Sequence, residues 1–186
     1  MIKCFWYLLK NCFCIFGCYS TIMFEIRAAI PSDIKSITEI YNDAVLNTTA
    51  TFDHDIQTEE ERMQWLTHRK SMHPVIVGLV NNEVAGWAAL SPWNPKKGYD
   101  IIAEVSVYIH PEFQFQGLGS KLLHEIIIQG SKVGLHSLLS RITTDNVHSI
   151  HLHEKEGFVK TGVLHEAGQK FNRYLDVMIM QKMLNP

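Results

Sequence analysis

The sequence predicts a mixed α/β (α+β) domain around one central sheet, and three observations lead there. Runs rich in β-branched residues alternate with segments of helical periodicity in the order β-α-α-β-β-β-α-β-α-β-β. The 186 residues suit a single domain, at about 100–200 residues per domain. Hydrophobic residues make up 46% and charged ones 19%, a balance that supports a packed core and excludes a disordered chain.

Phe24 to Ala29 reads as a strand. Pro31-Ser32-Asp33 then offers helix-start chemistry, and Ile34, Ile37, Ile40, Tyr41 and Ala44 follow at helical spacing. Asn47 to Gln57 connects this helix to a second. That one opens at Thr58, whose partner Glu61 completes a capping box, and is expected to run to about Met72 with Met63, Trp65 and Leu66 on its buried side. Val75–Val80 and Val84–Leu90 form a hairpin about Asn81-Asn82. After the Pro-bearing loop Ser91–Tyr99 come a strand at Ile102–Ile109 and a helix from Gly117 to about Val133, with Gly134 at its C-terminal cap. A strand at Leu138–Thr143, a short helix from Asn146 ending near Gly157, and strands at about Phe158–Leu164 and Tyr174–Met183 complete the chain. There is no internal repeat and no low-complexity tract.

Residues 1–22 are apolar and aromatic and match nothing in the periodic chain that follows. A spanning helix needs ~20 apolar residues, whereas Lys10 and Asn11 interrupt this segment and Glu25 ends the run from Cys12. A membrane span is therefore not expected. A lipoprotein-type leader ending at Cys18 and an interfacial anchor are alternatives. The preferred reading is that the domain occupies 23–186 and that Met23, directly before the first strand, is the natural start. All four cysteines lie in the 1–22 segment, so the domain has neither a disulfide nor a cysteine-ligated zinc. A net charge of −2 gives no basic excess, so nucleic acid is not an expected partner.

The strongest local signal is the strand Val105-Ser106-Val107-Tyr108-Ile109 followed by Gln114-Phe115-Gln116-Gly117-Leu118-Gly119-Ser120 at a helix start. Glycines here let the backbone approach an anion, and the free N–H groups and dipole of the helix favour phosphate. Leu122 stands where the dinucleotide fingerprint needs glycine, and no Gly-Lys-Ser/Thr follows, so both common nucleotide motifs fail.

Gln114-x-x-Gly117-x-Gly119 after a Val-Tyr-Ile strand resembles the pyrophosphate signature of the GNAT superfamily of N-acetyltransferases. Asn146-x-x-Ser149-x-x-Leu152-His153-Glu154-Lys155-x-Gly157-Phe158 resembles that superfamily's next motif. Similarity to the phosphinothricin (methionine sulfoximine) acetyltransferase family extends through Ile40-Tyr41-Asn42, Thr48–Phe52, Tyr99-Asp100, Glu104–Tyr108, Gly168-Gln169-Lys170-Phe171 and Leu175-Asp176-Val177. It spans Phe24 to Leu184.

The resemblance implies a GNAT-like, mostly antiparallel sheet and acetyl transfer from acetyl-CoA to the amine of a small amino acid-like substrate. It implies Glu104 as general base, and His153 as the group that protonates the leaving thiolate. Val107, Tyr108 and Ile109 would pair with the pantetheine arm, residues 114–120 would hold the pyrophosphate, and Asn146 with Ser149 would bind the cofactor arm. Phe52, Lys96, Tyr99, Ser106 and Val177 would line the acceptor site. Lys96 and Lys97 stand near positions where relatives place lysine or arginine, while Asn94 is uncharged. Read structurally instead, Glu104 is a strand residue, His153 one of three crowded histidines, Lys96 a solvated loop residue and Asn146 a helix cap. His148 and His151 have metal-ligand spacing, but no third ligand is apparent and the reaction needs no metal. A cytoplasmic homodimer is the family habit. The alternatives are a protein N-terminal acetyltransferase, a non-catalytic acyl-CoA binding module, against which Glu104 argues, and a membrane-tethered form that depends on residues 1–22.

Overall fold

The computed structural model describes residues 23–184, so the expectations placed on segment 1–22 lie outside the described residues. β1 (Glu25–Ala28) leads to α1 (Ile34–Asn47) and α2 (Glu59–Thr67), and then to the hairpin of β2 (Val75–Val80) and β3 (Glu83–Pro92). β4 (Ile102–Ile109), α3 (Leu118–Lys132), β5 (Ser137–Thr143) and α4 (Val147–Lys155) follow, and β6 (Val159–Lys170) with β7 (Arg173–Met183) closes the chain. This is the order of elements read from the sequence. The seven strands form one sheet, β1-β2-β3-β4-β5-β7-β6, antiparallel throughout except between β4 and β5. Those two run parallel because α3 carries the chain back across the sheet between them.

The core occupies both faces. On one, α3 presents Leu118, Leu122, Leu123 and Ile126, all fully buried, to Ala88, Leu90, Leu138 and Met180. On the other, α1 lays Ile37, Ile40, Tyr41 and Val45 over Val75, Val77, Leu79 and Trp87. Alternation along β2 divides Val75 and Val77 from Ile76 between the faces. Each fully buried aliphatic side chain stabilises the fold by about 1.5–3 kcal/mol. No helix among the described residues is long and apolar enough to cross a membrane.

Two elements differ from the sequence reading. The Thr58–Glu61 capping box opens α2 as expected, through Glu61 N–H to Thr58 Oγ1 (3.2 Å) and Thr58 N–H to Glu61 Oε2 (2.8 Å). The helix stops at Thr67, short of Met72, because Thr67 Oγ1 and His68 Nδ1 bond the Met63 and Gln64 carbonyls (2.9 and 2.8 Å) and cap the last turn. Its buried residue is Arg62, while Met63, Trp65 and Leu66 are only partly buried. The guanidinium lies 3.6 Å from the Tyr41 ring centroid, close to Trp65 and Trp87. A cation seated among aromatic faces escapes the apolar periodicity rule.

β6 is the other departure, running to Lys170 instead of ending at Leu164. Its ladder with β7 shifts register between Leu164 and Gly168, where Glu166 adopts φ 49° and donates its N–H to Asp176 Oδ1 (2.8 Å). A carboxylate thus replaces a strand partner, which lets a polar stretch continue the strand.

Candidate active site

β4 is paired with β3 from Ala103 through Ile109. On the opposite edge its pairing with β5 covers only Ile102, Ala103 and Glu104. Beyond Glu104 the two strands part, and the backbone of Val105–Ile109 faces a gap on that side. A cleft of about 440 Å³ opens there, walled by β4, β5, the segment Thr49–Asp53 and the first turns of α4. It gathers Phe52, Glu104, Ser106, Val107, Tyr108, Asn146, Ser149, His153 and Val177 from the residues singled out in the sequence. Lys96 and Tyr99 are exposed and lie outside its lining, so the loop expected to grip an anion is not part of this cleft wall.

At the end of β4, Phe115 (φ 60°) and Gly117 (φ 92°) take left-handed conformations that turn the chain into α3. A Cβ added at Gly117 would meet nothing within 4 Å, whereas one at Gly119 would lie 3.5 Å from Leu152 Cδ2 and 3.7 Å from Ile109 Cγ1. The two glycines therefore differ. Gly117 turns the chain beside open space at the helix start, and Gly119 faces inward where α3 meets β4 and α4. Leu118 buries its side chain completely, so only its backbone is available to a ligand. Gln114 Nε2 donates to the Ile109 carbonyl (3.3 Å) and Gln116 Nε2 to the Glu112 carbonyl (2.7 Å), bracing the turn. Ser120 Oγ donates to Glu156 Oε1 (3.4 Å), and Phe115, 82% exposed, stands edge-on to His148.

Asn146 caps α4, its Oδ1 accepting from the Ser149 N–H (3.1 Å). One turn on, His153 is 4% exposed, with Nδ1 2.8 Å from the Ser149 carbonyl. A carbonyl only accepts, so Nδ1 carries the proton and Nε2 presents a lone pair. That Nε2 is buried without a hydrogen-bond partner, as is Ser140 Oγ on the same cleft wall. Burial pushes the imidazole below its ordinary range, only partly offset by the bond to Ser149. The ring is therefore neutral near pH 7. A proton donor at this position must first be protonated at Nε2.

Glu104 is held by Arg141: Nε donates to Oε1 (2.7 Å) and Nη2 to Oε2 (2.6 Å). β4–β5 register sets Glu104 opposite Leu139, so Arg141 is its diagonal neighbour on the same face, within reach of a long side chain. Phe52 is fixed from the far side. Lys170, 2% exposed, donates from Nζ to the Thr51 carbonyl (2.7 Å). Gly168 lies against the Phe52 ring, where an added Cβ would come within 2.7 Å of Cε2. Thr49 Oγ1 also bonds Thr143 Oγ1 (3.0 Å) and Asp145 Oδ1 (3.0 Å). Among the described residues no group of three His, Cys, Asp or Glu is placed to hold a metal ion.

The sequence profile of the acetyltransferase (GNAT) domain family matches residues 26–179. The chain belongs to the GNAT acetyltransferase family. The L-methionine sulfoximine/L-methionine sulfone acetyltransferase of Salmonella typhimurium is 38% identical over 161 residues, 86% of this chain and 94% of that one. A crystal structure described as the ribosomal-protein-alanine N-acetyltransferase of Brucella melitensis superposes with a TM-score of 0.84 at 38% identity, covering 86% of this chain and 99% of its own. The phosphinothricin acetyltransferase of Sinorhizobium meliloti, solved in complex with acetyl-CoA, superposes with a TM-score of 0.82 at 32% identity and covers 87% and 88%.

Sequence reasoning missed two residues of this acetyltransferase site. Arg141 sits in a strand whose neighbour could not be read locally, and Lys170 fell beyond the expected end of its strand although a family motif includes it. Alternation along Ser137–Thr143 is the only local signal for Arg141, since it sets that residue on the face opposite Leu138 and Ile142.

Proposed function

We propose that this protein transfers an acetyl group from acetyl-CoA to the amine of a small amino acid-like acceptor of the methionine sulfoximine or phosphinothricin type. The observation that carries the reading is the one-sided half of β4, which leads from Glu104 into the open turn at Gly117. An elongated ligand with amide groups along its arm and a pyrophosphate at its end fits this pairing edge and helix start. The orphaned Ser140 Oγ and His153 Nε2 supply further polar atoms on the same wall.

Bound acetyl-CoA supplies the thioester, and the chain supplies the rest. Glu104 takes a proton from the acceptor ammonium, directly or through a water, so that a neutral amine can attack. Backbone N–H groups on the open edge of Val105–Ile109 would polarise the carbonyl oxygen. His153, oriented by its bond to Ser149, takes at Nε2 the proton that the attacking nitrogen loses as the new C–N bond forms, and passes it to the sulfur as the C–S bond breaks. Phe52 and Val177 exclude water from the acceptor end, and Ser106 offers a hydroxyl. The reading includes a cytoplasmic homodimer, as the family resemblance implies; light scattering and cell fractionation test it.

Thiol release from acetyl-CoA, measured across amino acid analogues, simple amines and peptides, tests the reaction. Amino acid analogues are expected to be the best acceptors. Preference for peptides with an N-terminal alanine would favour a protein N-terminal acetyltransferase instead, a reading supported by the likeness to the Brucella protein.

A further inference from the structure

We propose that Arg141 is the receptor for the acceptor's carboxylate, and that Glu104 occupies this receptor until the acceptor arrives. The inference rests on the amino acid acetyltransferase reading and names the group that makes the site select amino acids over plain amines.

Arg141 is the one arginine or lysine among the described residues that line the cleft. Its side chain is 55% exposed while that of Glu104 is 17% exposed, so the guanidinium stands at the open side of the pair and the carboxylate at the sheltered side. Trp93 lies 5.5 Å from the guanidinium carbon. A planar guanidinium in this setting presents the fork that matches a carboxylate, and both carboxylate oxygens of Glu104 already fill it. With both oxygens of Glu104 on Nε and Nη2, an incoming carboxylate reaches these two donors only by displacing it.

An α-amino acid carries its carboxylate and ammonium on one carbon. Seating the carboxylate on Arg141 therefore brings the ammonium beside the glutamate just displaced. One internal ion pair is exchanged for two pairs with the ligand, and no charge is left alone in the cleft. A plain amine drawing Glu104 toward itself would leave Arg141 unpaired, and that cost discriminates against it. Opening the pair thus becomes coupled to the arrival of a zwitterion.

Calorimetric titration of the CoA-bound full chain with methionine sulfoximine and with its decarboxylated amine reads this directly, without requiring turnover. Wild type should prefer the amino acid by about 10- to 100-fold, the range of charge-assisted hydrogen bonds. Arg141→Met should lose most of that preference with acetyl-CoA affinity unchanged, and Arg141→Lys should recover part of it, having the charge without the fork. A preference that persists in Arg141→Met, or equal weakening of both ligands, overturns the proposal and returns the anion site to Lys96 or a structural effect. A second measurement does not depend on the Arg141 variants folding. Glu104→Gln should bind the deaminated carboxylic acid more tightly than wild type, because the resident anion no longer competes; unchanged or weaker binding overturns the proposal. An Arg141-dependent preference without acetylation would sink the reaction and keep the receptor, whereas acetylation with an Arg141-independent preference would do the reverse.

Discussion

The two halves of β4 have similar sequence character and opposite fates. Ala103 and Glu104 are paired on both edges, Ile102 pairs with Ser137 of β5, and Ala103 is fully buried, so that half is fixed by the sheet. Val105–Ile109 keeps its β3 partner and loses β5, so the same kind of backbone is left with one open edge, the proposed binding edge. Glu104 sits at the junction. The proposed site begins where pairing with β5 stops.

The largest effect is expected at the far end of the open half. Gly117→Arg should abolish acetyl-CoA binding while the domain stays folded, because the new side chain enters the open space at the helix start and the position requires φ 92°. Calorimetry beside circular dichroism checks both parts, and unchanged affinity would remove the phosphate cradle from this turn. Gly119→Ala sharpens the contrast, since its methyl group would make ordinary contact with Leu152 and Ile109. It should keep acetyl-CoA affinity within a few-fold.

At the junction, Glu104→Gln should lower turnover ~10²-fold or more at neutral pH with acetyl-CoA affinity nearly unchanged. The variant should recover as pH rises toward the pKa of the amine, where free amine forms unaided, while wild type levels off. Near wild-type turnover at neutral pH would make Glu104 a strand residue only.

In the closed half the loss should appear as stability instead. Leu138 is fully buried and pairs with Ala103, so Leu138→Ala should cost about 2–5 kcal/mol in denaturant unfolding and leave the KM for acetyl-CoA in place. A raised KM without lost stability would erase the distinction between the halves.

The smallest effect is a pH dependence. His153 is held below its ordinary pKa by burial, so the unfolded chain takes up this proton before the folded one does. Above about pH 6.5 both forms are neutral and the group contributes nothing to the slope. Below that, stability should fall by up to ~1.4 kcal/mol per pH unit from this residue until the folded ring also protonates. His153→Asn should unfold with a shallower acid slope between pH 6.5 and 5, and an unaltered slope would show that the ring titrates freely in the fold.

How far the sequence could be read depended on the range of the interaction. The helical faces of α1 and α3 were legible because their apolar spacing reports burial directly, as Ile37, Ile40, Leu122 and Ile126 show. The turn at Asn81-Asn82 was legible because both residues accept positive φ, here 51° and 67°. Arg62 was not, since a cation on a buried helix face contradicts periodicity and is explained only by the rings that Tyr41, Trp65 and Trp87 bring from other elements. The end of β6 was hidden for a similar reason, because Asp176 of β7 supplies the bond that carries the strand past Glu166.

The sequence by itself determined the strand-turn-helix unit from β4 to α3, the left-handed glycine at its hinge, and Glu104 on the strand that leads there. Backbone dihedral limits and a residue's immediate neighbours decide those features. Only the tertiary structure decided that β5 leaves β4 after Glu104, that Arg141 then lies diagonal to the carboxylate, that Lys170 anchors the backbone beside Phe52, and that Lys96 stands outside the cleft. Each of these joins residues far apart in the chain through strand order and register. Crossovers and two-sided core packing set that order, and no local run of side chains encodes it.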